Sequence, residues 1–438
     1  MSVAVVCPIN RKCSGRSRVD ELKASGKPFE ISKRAVWEAW EKVKANKGAP
    51  GVDGQSIAEF ESDLKNNLYK IWNRMSSGSY FPPPVLAVEI PKAHGQGIRI
   101  LGVPCVADRV AQTVVARELE KKVEPIFHPD SYGYRPKRSA LDAVAECRRR
   151  CWETDWVIDL DIAGFFDSVP WDRMVKAVEA NTDLPWVVLY VKRWLAAPLA
   201  LPDGTLVQRD RGTPQGSAVS PVIANLFLHY AFDAWLAREF PAVRFERYVD
   251  DAVIHCVSEA QAQRVLAALR ERMEAVGLVL HPDKTRIVYC ADGKRRGSYE
   301  HTAFTFLGYT FRARGARRKD GARFTAFMPA ISKDALKKIS AEVRSWRLDH
   351  RTGHTEAELA RKINPIVRGW MNYYGAFYRS ALYSLLGRIN AYLLRWSRNK
   401  YRRLKGRKKA QEAWNQAVKR RPRYFAHWAW VTWVPAVW

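Results

Sequence analysis

Apolar residues recur at helical spacing through KRAVWEAWEKVKANKG, which sets Val36, Trp40 and Val43 on one face of a helix opening at Ser32 and ending at Gly48. GAPGVDG (48–54) is a turn-rich loop, and a second helix follows it. FPPPVLAVEIPK then gives way from prolines to a strand, which IRILGVP returns, so a hairpin should present Lys92 and Arg99 from its tip. From Trp156 the period changes. VIDLDIAGFF alternates and then becomes solidly apolar, as a strand in a covered sheet does. GTPQGSAVSPVIANLFLHYAFDAWL reads as a Gly-rich turn and a helix, with Ser220 as N-cap, Pro221 in the first turn, and Ile223, Leu226, Phe227 and Tyr230 as its apolar stripe. VRFERYVDDAVIHCV is two short strands around a Tyr-Val-Asp-Asp tip; a helix over 259–276 and strands near LVLHPDKTRIVYC and FTFLGYTF complete the region.

Beyond about residue 328 the pattern is helical. Leu336, Ile339, Val343 and Trp346 share a face, Thr355 and Glu358 are spaced as a capping box, and Pro365 should kink the helix that follows. Residues 395–409 carry nine Lys or Arg with Trp396 and Tyr401 among them. The fold class is therefore α+β, with a helical C-terminal third.

Charge sharpens this picture. In 438 residues there are 73 Lys and Arg against 45 Asp and Glu, a net +28. Such an excess in a chain that is 47% apolar points to a polyanion partner, because cations laid on phosphates release counterions. No apolar run approaches the ~20 residues of a membrane span, so a membrane partner is not expected. The start, MSVAVVCPINRKC, lacks a secretory signal pattern, and cytoplasmic residence is the expectation. The seven cysteines (Cys7, Cys13, Cys105, Cys147, Cys151, Cys256 and Cys290) form no CxxC pair, so spacing indicates neither a disulfide scaffold nor a zinc ribbon.

The candidate chemistry lies in carboxylates that local structure does not explain. Asp161 sits in an otherwise apolar strand, and Asp250 and Asp251 lie between two more. Carboxylates gathered near a core require cations, and hard divalent ions suit oxygen ligands. Two such ions can activate a hydroxyl and stabilise a leaving pyrophosphate in one in-line step.

At this point the residues resemble a family. VIDLDIAGFFD (157–167), GTPQG (212–216) and YVDD (248–251) are similar to the successive palm motifs of reverse transcriptases, most closely those encoded by bacterial group II introns. SYGYRPKRSALDAV, LVLHPDKT, FLGYTF and VRGWMNYYGAF follow that lineage in its order, over roughly residues 30 to 400. The resemblance implies a right-hand polymerase: a flexible basic lead-in (1–28), fingers (29–150), a palm with an antiparallel sheet (151–327), a helical maturase-like thumb (328–394) and a basic, aromatic nucleic-acid-binding region (395–438). It implies that Asp161, Asp250 and Asp251 are catalytic and bind two Mg2+ ions, with Mn2+ as a substitute. Lys92 and Arg99 correspond to the residues that clamp the triphosphate, Phe166 to the bulky residue beneath the incoming sugar, and Gln215 to a nucleotide or template contact. Lys284 stands where a general acid for pyrophosphate is held, or is a surface lysine. Arg135 falls along the template path, and Tyr248 joins the nucleic-acid-binding set. Asp159 reads as supporting. The implied partners are an RNA template, a DNA or RNA primer, dNTPs and, in intron-borne members, the intron RNA.

Two departures stand out. Val249 replaces the family's usual alanine and adds branched bulk expected beside the primer end. Nothing after the basic region supplies a His/Cys-rich nuclease, so no DNA-cleaving HNH module is expected. YFAHWAWVTWVPAVW either covers the thumb or binds a strand. The implied function is RNA-directed DNA polymerisation, serving intron splicing and mobility or a domesticated task in DNA repair or defence. The alternatives are an RNA-binding splicing maturase whose palm is only a scaffold, which would predict a broken aspartate set, and an RNA-copying RNA polymerase, against which Phe166 argues. Phe166→Ala should admit ribonucleotides, measured as the ratio of NTP to dNTP incorporation; unchanged sugar discrimination refutes the assignment.

Overall fold

The structure, a computed structural model, describes residues 27–91, 97–318 and 320–435. The Ser32 hydroxyl accepts from the Ala35 N–H and opens α1 (Lys33–Asn46), whose Val36, Ala39, Trp40 and Val43 are buried. That helix ends one residue earlier than expected, at Lys47, which itself takes a positive φ. The second expected helix is two: α2 (Ile57–Ser62), opened by a Ser56–Glu59 capping box, and α3 (Leu64–Ser76). β1 (Val85–Pro91) and β2 (Ile98–Val103) form the antiparallel hairpin, with Ile90 opposite Arg99. Arg99 is exposed near the turn end, one pair in from Pro91 and Ile98; Lys92, like most of the basic lead-in, lies outside the described residues. The long α4 (Val106–Val123) is buried on most sides and packs against α1.

The central region contains α5 (Ala140–Arg150), β3 (Trp156–Asp161), the single turn α6 (Phe165–Ser168), α7 (Trp171–Glu179), α8 (Pro185–Ala196) and the two-residue strands β4 (Leu199–Ala200) and β5 (Leu206–Val207). It continues through α9 (Ser220–Leu228), α10 (Ala234–Glu239), β6 (Arg244–Tyr248), β7 (Asp251–Cys256), α11 (Glu259–Ala275) and β8 (Arg286–Tyr289). Four strands make its main sheet in the order β6-β7-β3-β8, all neighbours antiparallel. Alternation of side chains across a strand divides this sheet cleanly. Ile158, Leu160, Ala252 and Ile254 join the core formed with α9 and α11, while Val157, Val253 and Val288 face α5 and a second sheet. That second sheet is β9 (Phe304–Phe306), β10 (Tyr309–Arg317) and β11 (Arg323–Ile331), in the order β11-β10-β9.

Three local readings change. Ser220 is the first helical residue of α9 rather than its cap; its hydroxyl hydrogen-bonds Thr213 and makes no cap. Tyr230 leaves the apolar stripe because a π turn over His229–Asp233 rotates the helix, and the ring is 41% exposed. LVLHPDKT is mostly irregular, holding to the sheet by one bridge from Leu280 to Ile162. β11 was not anticipated.

Helices α12 (Lys333–Ser345), α13 (Glu356–Tyr374), α14 (Tyr383–Lys400) and α15 (Arg407–Arg420) build a separate apolar core from Ile331 to Val431. The Thr355–Glu358 capping box forms, and α13 runs on through Pro365. The Trp-rich C-terminal segment covers this helical unit. Buried Asn390 accepts from Trp428 Nε1 (3.0 Å) and hydrogen-bonds His427 Nε2 (2.7 Å), while its amide donates to the Val431 and Trp433 carbonyls (3.1 and 2.9 Å). Residues 395–435 thus share the core of 331–394, and Trp396 is buried in it rather than offered to a base.

The largest fully buried side chain is Arg247. Its guanidinium forms a two-point ion pair with Asp233 (2.6 Å each) and also donates to Ser131 Oγ (2.9 Å), Asn225 Oδ1 (3.1 Å) and the Val249 carbonyl (3.0 Å). Truncating one partner of a buried, satisfied pair strands the other charge. Arg247→Ala should therefore cost about 3–5 kcal/mol in urea unfolding; a loss below about 1 kcal/mol would show the network to be dispensable.

Candidate active site

The register of the main sheet places Asp161, the last residue of β3, directly opposite Asp251, the first of β7. Asp159 lies two residues back, on the same side as Asp161. Asp250 occupies the hairpin loop between β6 and β7 with Val249, which holds φ at 63°. Two segments distant in sequence, the end of β3 and the β6–β7 hairpin, thus converge at one end of the sheet.

Val249 is forced into this conformation by its surroundings. Its carbonyl accepts from Arg247, and a Cβ at Gly133 would come within 2.6 Å of Val249 Cγ2. Gly133 is itself fixed by the Asn225 amide, which donates to its carbonyl at 2.6 Å. The Val249 side chain is 4% exposed, so its branched bulk fills the interior against the SYGYRP segment and does not face a primer end. A β-branched residue at positive φ is strained, and such strain persists only where neighbours over-determine it.

Burial raises the Asp250 carboxyl above its ordinary value and Asp161 adds repulsion, with Arg99 and Lys284 opposing. Asp251 is raised well above the usual range, by burial first and then by Asp159, Asp250 and Asp161, with a hydrogen bond from the Leu307 N–H opposing. Burial likewise pushes Asp159 up to about 7, despite the Arg286 guanidinium 3.4 Å away. Carboxyls stacked against one another this way resist ionisation. A divalent cation reverses that balance, and this all-oxygen donor set fits hard ions such as magnesium.

Lys284 reaches the cluster: its Nζ is 3.0 Å from Asp161 Oδ2, on a side chain 60% exposed. The loop that carries it is clasped to the Asp161 backbone, which accepts from the His281 N–H (2.8 Å) and the Thr285 hydroxyl (3.2 Å). Phe165 is buried in the core, whereas Phe166 is half-buried and packs against it edge-on. The Phe166 carbonyl accepts from the Thr213 N–H (2.7 Å), and the Gln215 carbonyl accepts from the Gly102 N–H (2.8 Å). GTPQG is therefore wedged between the Phe166 turn and strand β2. A Cβ at Gly216 would lie 2.5 Å from the Gly102 oxygen, and one at Gly102 would lie 2.8 Å from Pro214, which explains both glycines.

Arg135 is a correction. Its guanidinium is turned inward to Glu124 (2.8 Å) and to the His128 and Ser131 carbonyls (2.6 and 2.8 Å), and the residue is 8% exposed. With its donors used within the protein, it braces the SYGYRP loop and does not line a template path. Tyr248 is half-buried beside the hairpin loop.

Sequence reasoning missed several supports. Buried Gln112 accepts from the Ser217 hydroxyl and the Ala218 N–H (2.7 Å each) and donates to Asp108, tying the GTPQG turn to α4. The Tyr373 hydroxyl donates to the Leu307 carbonyl (2.8 Å), linking the thumb to the residue whose N–H meets Asp251. Leu307 holds φ at 50° in the FLGY turn. Only the motif FLGY hinted at this; nothing in the spacing singled out Arg247 or Gln112.

Comparison with known proteins agrees with this geometry. Residues 90–311 match the family described as reverse transcriptase (RNA-dependent DNA polymerase), and residues 336–414 match the group II intron maturase-specific domain. The chain is 30% identical over 351 residues to protein YkfC of Escherichia coli, covering 70% of this chain and 88% of that protein. It is 27% identical over 218 residues to the group II intron-encoded protein LtrA of Lactococcus lactis, a match covering 49% of this chain and 36% of LtrA. The chain belongs to the reverse transcriptase family, the RNA-directed DNA polymerases, and is of the group II intron type with a maturase domain. Members of this family use divalent metal ions and bind RNA and primer strands. Among the described residues, no helix is long and apolar enough to cross a membrane.

A carboxyl raised by folding binds its proton more tightly in the native state, so it lowers stability as pH rises from the unfolded value to the folded one. Without divalent ions, the Asp159 contribution should fall between about pH 4 and 7. Asp159→Asn should flatten that slope in urea unfolding; parallel wild-type and variant profiles would contradict it.

Proposed function

We propose that this chain extends a primer 3′-hydroxyl with dNTPs along an RNA template, and that Asp161, Asp250 and Asp251 hold two Mg2+ ions, with Mn2+ as a substitute. The observation that carries this reading is the convergence of three acidic side chains at one sheet end, where burial and mutual repulsion raise Asp250 and Asp251. When bound, the ion pair supplies hydroxyl activation and stabilisation of the leaving pyrophosphate. The chain's own groups do the rest. Arg99, with Lys92, meets the triphosphate, the first as a planar fork and the second as a point charge. Lys284, within reach of Asp161, donates a proton to the departing pyrophosphate. Phe166 underlies the sugar and excludes a 2′-hydroxyl; the GTPQG turn around Gln215 brings backbone close to nucleotide or template; Tyr248 lies beside the primer. The basic surface from Arg395 to Lys409 grips duplex and, where an intron surrounds the gene, intron RNA.

We place the reaction in the cytoplasm, in the service of intron splicing and mobility or of DNA repair or defence by a free-standing enzyme. The scaffold-only reading is disfavoured because all three carboxylates are present and assembled. The test is primer extension on RNA with Mg2+, comparing dNTPs with NTPs. Asp250→Asn should reduce dNTP extension by at least about 1,000-fold, the scale on which charge-stabilising groups act. Preferential NTP use would identify an RNA polymerase, and RNA binding without synthesis by the unaltered chain would identify a scaffold.

A further inference from the structure

The cysteines are scattered in sequence but not in space. Cys147 and Cys151 sit one helical turn apart near the end of α5, both fully buried. His255 on β7, 2% exposed, brings a ring nitrogen to them, and the three ligand atoms lie within 4.8 Å of one another. Cys290, fully buried just after β8, belongs to the same buried cluster but lies outside that group of three. The five described cysteines form no disulfide. Cys256, by contrast, is buried in the other face of the sheet among aliphatic side chains, as a structural cysteine usually is.

We propose that Cys147, Cys151 and His255 hold a zinc ion, separate from the carboxylate cluster, and that Cys290 closes in on it as the fourth ligand. Three thiolates and an imidazole are a soft donor set that suits zinc and leaves no open position, which defines a structural site. The surroundings are built for it. His255 Nε2 is 2.7 Å from Glu246, and its Nδ1 is 3.3 Å from the Thr154 hydroxyl. Glu246 is fully buried and held by Arg150 (2.7 Å), itself paired with Asp130 (2.9 Å). Whichever nitrogen turns to zinc, the other keeps a polar partner that orients the ring, as ligating histidines require. Three thiols release three protons to solvent as three Zn–S bonds form. The resulting complex carries a single negative charge, and Arg295, paired with Asp292 (2.7 Å), ties the Cys151 carbonyl (2.9 Å) beside it. The thiols lie inside an aromatic and aliphatic core, where a bound cation would hold their thiolate charge.

The site would staple α5 to β7 and to the chain leaving β8. His255 lies four residues along β7 from Asp251, roughly 13 Å, and on the same sheet face. Zinc there would fix the layer on which the carboxylates stand.

The test uses the full chain, expressed with zinc and washed with EDTA. Elemental analysis should find about one zinc per chain. Reduced protein exchanged with Co2+ should show the near-ultraviolet thiolate-to-cobalt band, which carboxylates cannot produce. Cys151→Ala should lose both signals and melt at lower temperature, whereas Cys256→Ala should keep both. Unaltered protein with neither zinc nor the cobalt band, or with a Cys151–Cys290 disulfide in its place, overturns the proposal. So does full retention of metal by Cys151→Ala. If that variant does not fold, the metal content and cobalt spectrum of the unaltered chain decide. Polymerase activity is not a readout, so failure here leaves the carboxylate assignment standing.

Discussion

Holding like charges together is the constraint around which this molecule is arranged. Asp161 and Asp251 face each other across a strand pair, with Asp159 and Asp250 adjacent, and none would choose that company in a partly desolvated place. The repulsion is contained by covalent register and by a buried frame. Antiparallel pairing over the length of β3 and β7 fixes three of them; Arg247, joined to Asp233, Asn225, Ser131 and Val249, fixes the hairpin loop that holds the fourth, Asp250. Around this frame lie the inward-turned Arg135, the clasp of Thr285 on Asp161 and the Leu307 N–H beneath Asp251.

The thumb is not an independent appendage. It has its own core, yet Tyr373 from α13 bonds the Leu307 carbonyl, and the Tyr309 hydroxyl bonds the Tyr373 carbonyl in return. The helical unit is thereby joined through one residue, Leu307, to the sheet end that carries Asp251. The covering Trp-rich segment depends on two glycines: Gly375 leaves space for Trp430 and Gly387 for Trp433.

Much of this was legible in the sequence. Period-two apolar runs identified β3 and the β6–β7 hairpin, the Thr355–Glu358 spacing identified the start of α13, and the out-of-place aspartates pointed to the carboxylate cluster at the sheet end. What stayed hidden was long-range satisfaction of polar groups. A one-dimensional pattern shows that Arg135 is basic, but not that Glu124 and two carbonyls claim its donors. It shows Tyr230 at helical spacing, but not the π turn that rotates it outward. It shows Val249 as bulk, but not that Gly133 leaves a recess for that bulk. The cysteine arrangement was hidden for the same reason, since α5, β7 and the end of β8 meet only in the folded chain.

The contact between the GTPQG turn and strand β2 has a consequence for recombination. A methyl group on Gly216 would need the space of the Gly102 oxygen and one on Gly102 that of Pro214, and a backbone hydrogen bond joins the two segments at 2.8 Å. The pair behaves as a lock with both halves cut to one another. Chimeras assembled from related chains would have to inherit both segments from one parent, and crossovers between residues 102 and 216 would separate the halves.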